Sequence, residues 1–151
     1  MSVEAVKNYF KEKNIDANIK VFEDTSTVEK AAKALNVTEG EIVKSLLLKV
    51  KEKYIMVLMA GDKRISNRKF KNIFACKPKM PEPEEVMEIT GHPVGGVCPF
   101  ALRNPIDIYL DISLKEYDTV YPAAGEFNAA VKLSVQELEE LTLGKWIDIS
   151  Q

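Results

Sequence analysis

Ile42-Val43-Lys44-Ser45-Leu46-Leu47-Leu48-Lys49-Val50, then Lys51-Glu52-Lys53, then Tyr54-Ile55-Met56-Val57-Leu58-Met59-Ala60 is the stretch on which the fold turns. Two apolar runs parted by a short polar break read as a β-hairpin. Lys44 sits early in the first strand, which the pattern makes a central one, and is the one charge among the seven residues 42–48. Full burial of an ammonium is costly, so Lys44 must snorkel to the surface or face a polar cleft where it meets an anion. A third reading is an edge-strand lysine that only discourages aggregation.

Around the hairpin, periodicity supplies the other elements. Val3, Val6, Tyr9 and Phe10 recur at helical spacing and predict an amphipathic helix over 2–13 that Asn14 ends. A short strand follows at 19–22. Asp24-Thr25-Ser26-Thr27 offers several N-caps for a helix over 28–35, with Asn36 as its stop. Thr38-x-x-Glu41 makes only a capped turn. Beyond the hairpin, Ser66 caps a helix through Phe74, and 81–89 reads as another helix, prolines being tolerated in a first turn. Strands are predicted at 106–112 and 129–133, a helix capped at Ser134 runs to Leu141, and 146–149 adds an edge strand. Strands and helices interleave without a regular βαβ repeat. The expected class is α/β, a mixed sheet surrounded by helices in a single domain spanning 1–151.

Gly91-His92-Pro93-Val94-Gly95-Gly96-Val97-Cys98-Pro99-Phe100 puts three glycines and two prolines beside the only histidine. Regular structure is not expected there. Gly95-Gly96 permits positive φ and close approach to the main chain, which suits a rigid loop presenting backbone groups to a small ligand. A tight structural turn between helix and strand would show the same composition.

Composition restricts the class of function. With 46% hydrophobic and 29% charged residues, the chain is that of an ordinary soluble globular protein. The first residues lack the basic and apolar regions of a secretory signal, and no apolar run approaches bilayer length, so a cytoplasmic location is expected. Cys76 and Cys98 form neither a CxxC pair nor a histidine cluster and read as free thiols; no metal or cofactor is expected. The net charge of −2 conceals an asymmetry. Residues 44–79 carry eleven Lys or Arg against Glu52 and Asp62, a net +9, and the remainder carries −11. Steering follows local charge, so this segment would attract a polyanion such as RNA, unless its lysines are spread around solvated faces.

Several of these stretches together carry a family resemblance. Thr27-Val28-Glu29-x-Ala31-Ala32, then Ile42-Val43-Lys44-Ser45-Leu46, then Gly91-x-Pro93-x-Gly95-Gly96-Val97-x-Pro99-Phe100, then Ala124-Gly125 ahead of Leu133-Ser134-x-x-Glu137-Leu138, resemble the YbaK/EbsC family. That family is related to the editing domain inserted in bacterial prolyl-tRNA synthetases. The resemblance implies trans-editing, the hydrolysis of the ester that joins a wrong, small amino acid such as Cys, Ala or Ser to a tRNA, with tRNA-Pro a candidate. Such a second sieve is needed because one methylene is worth only about 1–3 kcal/mol in a synthetase pocket.

By the same resemblance, Lys44 is the signature active-site residue, orienting the terminal nucleotide or the ester rather than attacking it. Gly95 and Gly96 would supply close-approach backbone dipoles, and Gly125 backbone access from a second loop. Ser45, Phe22 and His92 are the further substrate-binding candidates, and Asp24, Thr25 and Ser26 could line the mouth or simply cap a helix. No protein nucleophile is implied. The implied partners are the aminoacylated 3′ end of tRNA and an aminoacyl-tRNA synthetase, with no membrane and no DNA. The alternative is a tRNA- or synthetase-binding module that keeps the fold without turnover. The chain departs from the cysteine-editing members in reading Ala123-Ala124-Gly125 where they have Ser-Ala-Gly, and in carrying Ser45 where many relatives have Thr or Asn.

Overall fold

A computed structural model describes residues 2–151. Helix α1 (Ser2–Glu12) buries Val6 and Phe10 one turn apart. Strand β1 (Ile19–Val21) leads to α2 (Val28–Leu35), whose N-cap Thr27 accepts from the Lys30 N–H and whose C-cap Asn36 turns to φ 58°. The hairpin is β2 (Val43–Val50) and β3 (Lys53–Ala60), joined by Lys51-Glu52. Helix α3 (Asn67–Phe74) is capped by Ser66, and α4 (Pro83–Thr90) starts on a proline and ends at Gly91 with φ 83°. Then come β4 (Asp107–Asp111), β5 (Thr119–Val120), β6 (Ala129–Val131) and β7 (Leu133–Ser134). Helix α5 (Val135–Thr142) opens with a reciprocal Ser134–Glu137 capping box, and β8 (Lys145–Ile147) closes the chain.

The main sheet has the order β2-β3-β4-β8, antiparallel in the hairpin and parallel beyond it. Two ribbons, β1-β6 and β5-β7, stand apart from it. The sheet is mixed, as expected, but β2 lies at its edge rather than at its centre. The crossover through α3 and α4 returns β4 to the far side of β3, which leaves the first strand of the hairpin with one side unpaired. Prediction of 129–133 as one strand also fails in detail, because it divides between the two ribbons.

Each face of the main sheet carries its own apolar layer. Val43, Met56, Leu58 and Ala60 pack with α1, Phe100 and α5 on one side. Leu48, Ile55, Val57 and Met59 pack with Phe70 and Ile149 on the other. Cross-strand partners share a face, so Lys44 opposite Met59 belongs to the second side and Ser45 opposite Leu58 to the first.

At the end of β4 the fully buried Asp111 gathers three backbone donors. Its carboxylate accepts from the N–H groups of Ser113 (2.9 Å), Ile149 (2.9 Å) and Ser150 (3.2 Å). Burial alone would raise its pKa, but these hydrogen bonds hold it below the ordinary carboxylate value. The unfolded chain therefore takes up this proton first, and the stabilisation is present above about pH 4 and lost as the pH falls below that. Asp111→Ala should cost about 3 kcal/mol or more at neutral pH by leaving buried N–H groups without an acceptor. Denaturant unfolding of both forms at pH 7 and pH 3 checks this, and the gap between them should narrow at the lower pH.

Candidate active site

The open side of β2 forms one wall of a cavity. The N-terminal end of α2 with Thr25 and Ser26, the segment Met80-Pro81, the start of α4, the loop at Val94-Gly95 and the second loop at Ala123 enclose it. Its surface is mostly apolar, with Val28, Ala31, Ile42, Val97, Ala129 and Ala130 contributing small side chains. Ser45 also lines it, and its Oγ is buried with no hydrogen-bond partner.

Lys44 lines the cavity from β2 and its ammonium donates to the carbonyl of Lys63 in the loop after β3. Partial burial lowers its pKa, the nearby Arg64 guanidinium lowers it further, and Asp62 acts in the opposite sense. The loop that receives Lys44 is held by the C-terminal segment: Ser66 N–H donates to the Ile149 carbonyl (2.7 Å) and Gln151 N–H to the Arg64 carbonyl (2.9 Å).

The other residues picked out in the sequence divide into two groups. Gly95, with φ 95°, is on the cavity wall beside Ser26 and Phe127. Gly96 and Gly125 are not. The Gly125 N–H donates to the Gly96 carbonyl (3.0 Å), a Cβ at Gly96 would fall 2.5 Å from the Glu126 nitrogen, and one at Gly125 2.7 Å from the Ser2 carbonyl. These two glycines let the two loops and the start of α1 close on one another. Phe22 does not line the cavity either; its N–H donates to the Asn128 carbonyl (2.7 Å).

His92 points into the core, with only 1% of its surface exposed. Its Nε2 lies 2.7 Å from the Phe100 carbonyl, which can only accept, so Nε2 carries the proton and the unpartnered Nδ1 does not. Burial pushes its pKa down, so the ring is held neutral. Cys98 Sγ lies 3.6 Å from that nitrogen, but burial pushes the thiol up to about 12. This pair is a packing feature, and the cavity contains neither member. Met80, Tyr121 and Leu47 do line it, and nothing in their sequence setting distinguishes them from core or linker residues.

The basic segment 44–79 runs from one cavity wall to another, beginning at Lys44 and ending beside Met80. Lys53 pairs with Asp107 and Lys69 with Asp148, whereas Arg64, Arg68, Lys71, Lys77 and Lys79 are exposed and have no ion-pair partner among the described residues. Among those residues no group of three or more His, Cys, Asp or Glu could hold a metal, and no helix is long and apolar enough to cross a membrane. Thiol labelling of the native chain should modify the half-buried Cys76 and spare the buried Cys98, which should react only after unfolding; mass spectrometry of the labelled peptides reads this directly.

Residues 23–141 match the model of a family described as the aminoacyl-tRNA editing domain. An uncharacterized protein of Bacillus subtilis, YwhH, is 41% identical over 99% of this chain and 97% of its own length. A proline–tRNA ligase of Bacillus pumilus is 30% identical over 82% of the chain, which spans only 23% of the ligase. Among solved structures, one put forward as a trans-editing enzyme for prolyl tRNA synthetase superposes with a TM-score of 0.92 at 28% identity, over 99% of this chain and 97% of that one. The cavity, the lysine on its edge strand and these likenesses agree, and the chain belongs to the aminoacyl-tRNA editing domain family.

Proposed function

We propose that the chain is a deacylase that hydrolyses in trans the ester of tRNA mischarged with a small amino acid such as Cys, Ala or Ser, with tRNA-Pro a candidate. One observation carries the reading: a mostly apolar cavity with Lys44 on its wall and with Met80, the residue that follows the basic segment, on another wall, that segment being rich in cations without ion-pair partners among the described residues. The cavity suits a small side chain, and the cations suit the phosphates of an acceptor stem. Alanine at 123 on the wall leaves no hydroxyl at that position of the cavity.

Hydrolysis breaks the bond between the acyl carbon and the ribose oxygen. Water adds to the carbonyl, with a neighbouring ribose hydroxyl able to relay its proton, and the 3′ oxygen leaves as the hydroxyl once it takes up a proton. Neither Cys98 nor His92 serves as nucleophile or base in this reading, since both are in the core. The chain's contribution is positioning and charge. Lys44 lies where its ammonium can leave the Lys63 carbonyl for a terminal phosphate or for the oxyanion that develops on the ester.

Lys44→Ala should lower the rate of ester hydrolysis by about a hundredfold, the scale of losing one preorganised charge donor, with tRNA affinity only partly reduced. Deacylation of a panel of Cys-, Ala- and Ser-charged tRNAs measures this and names the substrate. A chain without turnover on any of them is a binding module. Affinity for tRNA should also fall with salt, by a log–log slope of about 0.7–0.9 per phosphate contacted. In a filter-binding titration, Arg64→Glu with Arg68→Glu should flatten that slope; an unchanged slope would remove the basic segment from the interface.

A further inference from the structure

The free edge of β2 contains an unused set of backbone hydrogen-bonding groups. In an antiparallel pair, residues alternate between exchanging both bonds with the partner strand and turning both groups away from it. The two-residue turn makes Val50 and Lys53 the closing pair, so residues 44, 46, 48 and 50 bond to β3. Val43, Ser45, Leu47 and Lys49 face outward. The ends of this row are satisfied, the Val43 N–H by the Tyr121 carbonyl (3.1 Å) and the Lys49 N–H by the Lys79 carbonyl (2.9 Å). Between them, the N–H and C=O of Ser45 and Leu47 have no partner among the described residues, and both residues line the cavity.

Unpaired main-chain groups are costly where the wall is apolar, and Leu47 is only 3% exposed. The buried Ser45 hydroxyl beside them also lacks a partner. The middle of the gap, from the Ser45 C=O to the Leu47 N–H, has the reach of one residue. A single residue lying parallel to β2 donates its N–H to one carbonyl, here Ser45, and accepts through its own C=O from the N–H two positions on, here Leu47.

We infer that this gap is the recognition element for the aminoacyl group, which docks as a one-residue strand with its α-ammonium on the Ser45 carbonyl and its ester carbonyl on the Leu47 N–H. The main chain thus reads the part common to all amino acids, and the cavity reads the side chain. The Leu47 N–H also meets the oxygen that becomes negative as the ester is attacked, so it assists the chemical step as well as holding the substrate.

The inference rests on the deacylase reading, and the test separates the two. Leu47 is replaced by its α-hydroxy acid, which changes the outward amide to an ester and deletes that one N–H. Leu48, whose N–H faces β3 and whose side chain lies outside the cavity, is replaced in the same way as a control. The Leu47 form should lose about a hundredfold in kcat while keeping its affinity for tRNA, and the Leu48 form should lose thermal stability and keep kcat. A second arm compares alanyl-tRNA with propionyl-tRNA, each rate divided by its uncatalysed rate. Loss of the ammonium should cost about tenfold or more in kcat/KM, the scale of a charged hydrogen bond. A folded Leu47 form with wild-type kcat, or propionyl-tRNA cleaved with undiminished enhancement, overturns the edge as the recognition element and leaves the deacylase standing. Absence of turnover by the unmodified chain on every charged tRNA overturns both.

Discussion

The position of Lys44 depends on a carboxylate two strands away at the same end of the sheet. Asp111 collects the N–H groups of Ile149 and Ser150 and so fixes the last residues of the chain against β4. Those residues hold the loop after β3 through the pairing of Ile65 with Ser150 and the bond from Ser66 to Ile149. That loop presents the Lys63 carbonyl to the Lys44 ammonium. Asp111 also turns the chain back after β4, where Ser113 in the same turn accepts from the Ala60 N–H at the end of β3. One buried charge thereby registers the ends of β3, β4 and the C-terminus together, and the edge strand that carries Lys44 inherits that register.

The elements were legible wherever local chemistry alone decides them. Thr27, Ser66 and Ser134 each accept from an amide three residues on, and Gly91 takes the left-handed conformation that ends α4. The hairpin declared itself through its two apolar runs. The edge position of β2 did not, because strand order follows from where a long crossover returns, and no local pattern near residue 43 carries that information. Asp111 has no local signature for the same reason, two of its three donors, Ile149 and Ser150, coming from one distant segment of chain.

The candidate site shows the same division. A lysine among leucines is conspicuous in any reading, and Lys44 does stand on the cavity wall. Glycine is ambiguous, since a residue that lets a ligand approach also lets another loop approach. Gly95 borders the cavity, whereas Gly96 is closed off by the backbone of Glu126 and Gly125 by that of Ser2. The direction of His92 was equally hidden. Its neighbours in sequence belong to a surface loop, yet its ring is committed to the Phe100 carbonyl in the core. Backbone groups facing a cavity have no signature in amino-acid letters at all, so the open edge at Ser45 and Leu47 emerges only from the ladder.

Cys98 gives this arrangement a consequence for the conditions under which it can work. It is the thiolate that attacks peroxide and disulfides, and a buried thiol held near 12 presents almost none of it at neutral pH. Cys76, the other sulfur-bearing nucleophile, lies outside the cavity wall. A site assembled from an ammonium, a hydroxyl and main-chain amides therefore has no thiol of its own to oxidise, and the sulfur on its wall is the thioether of the exposed Met80. Chemistry at such a site would not follow the redox state of a cysteine, and the sulfoxide of Met80 is the oxidation product that would change its wall.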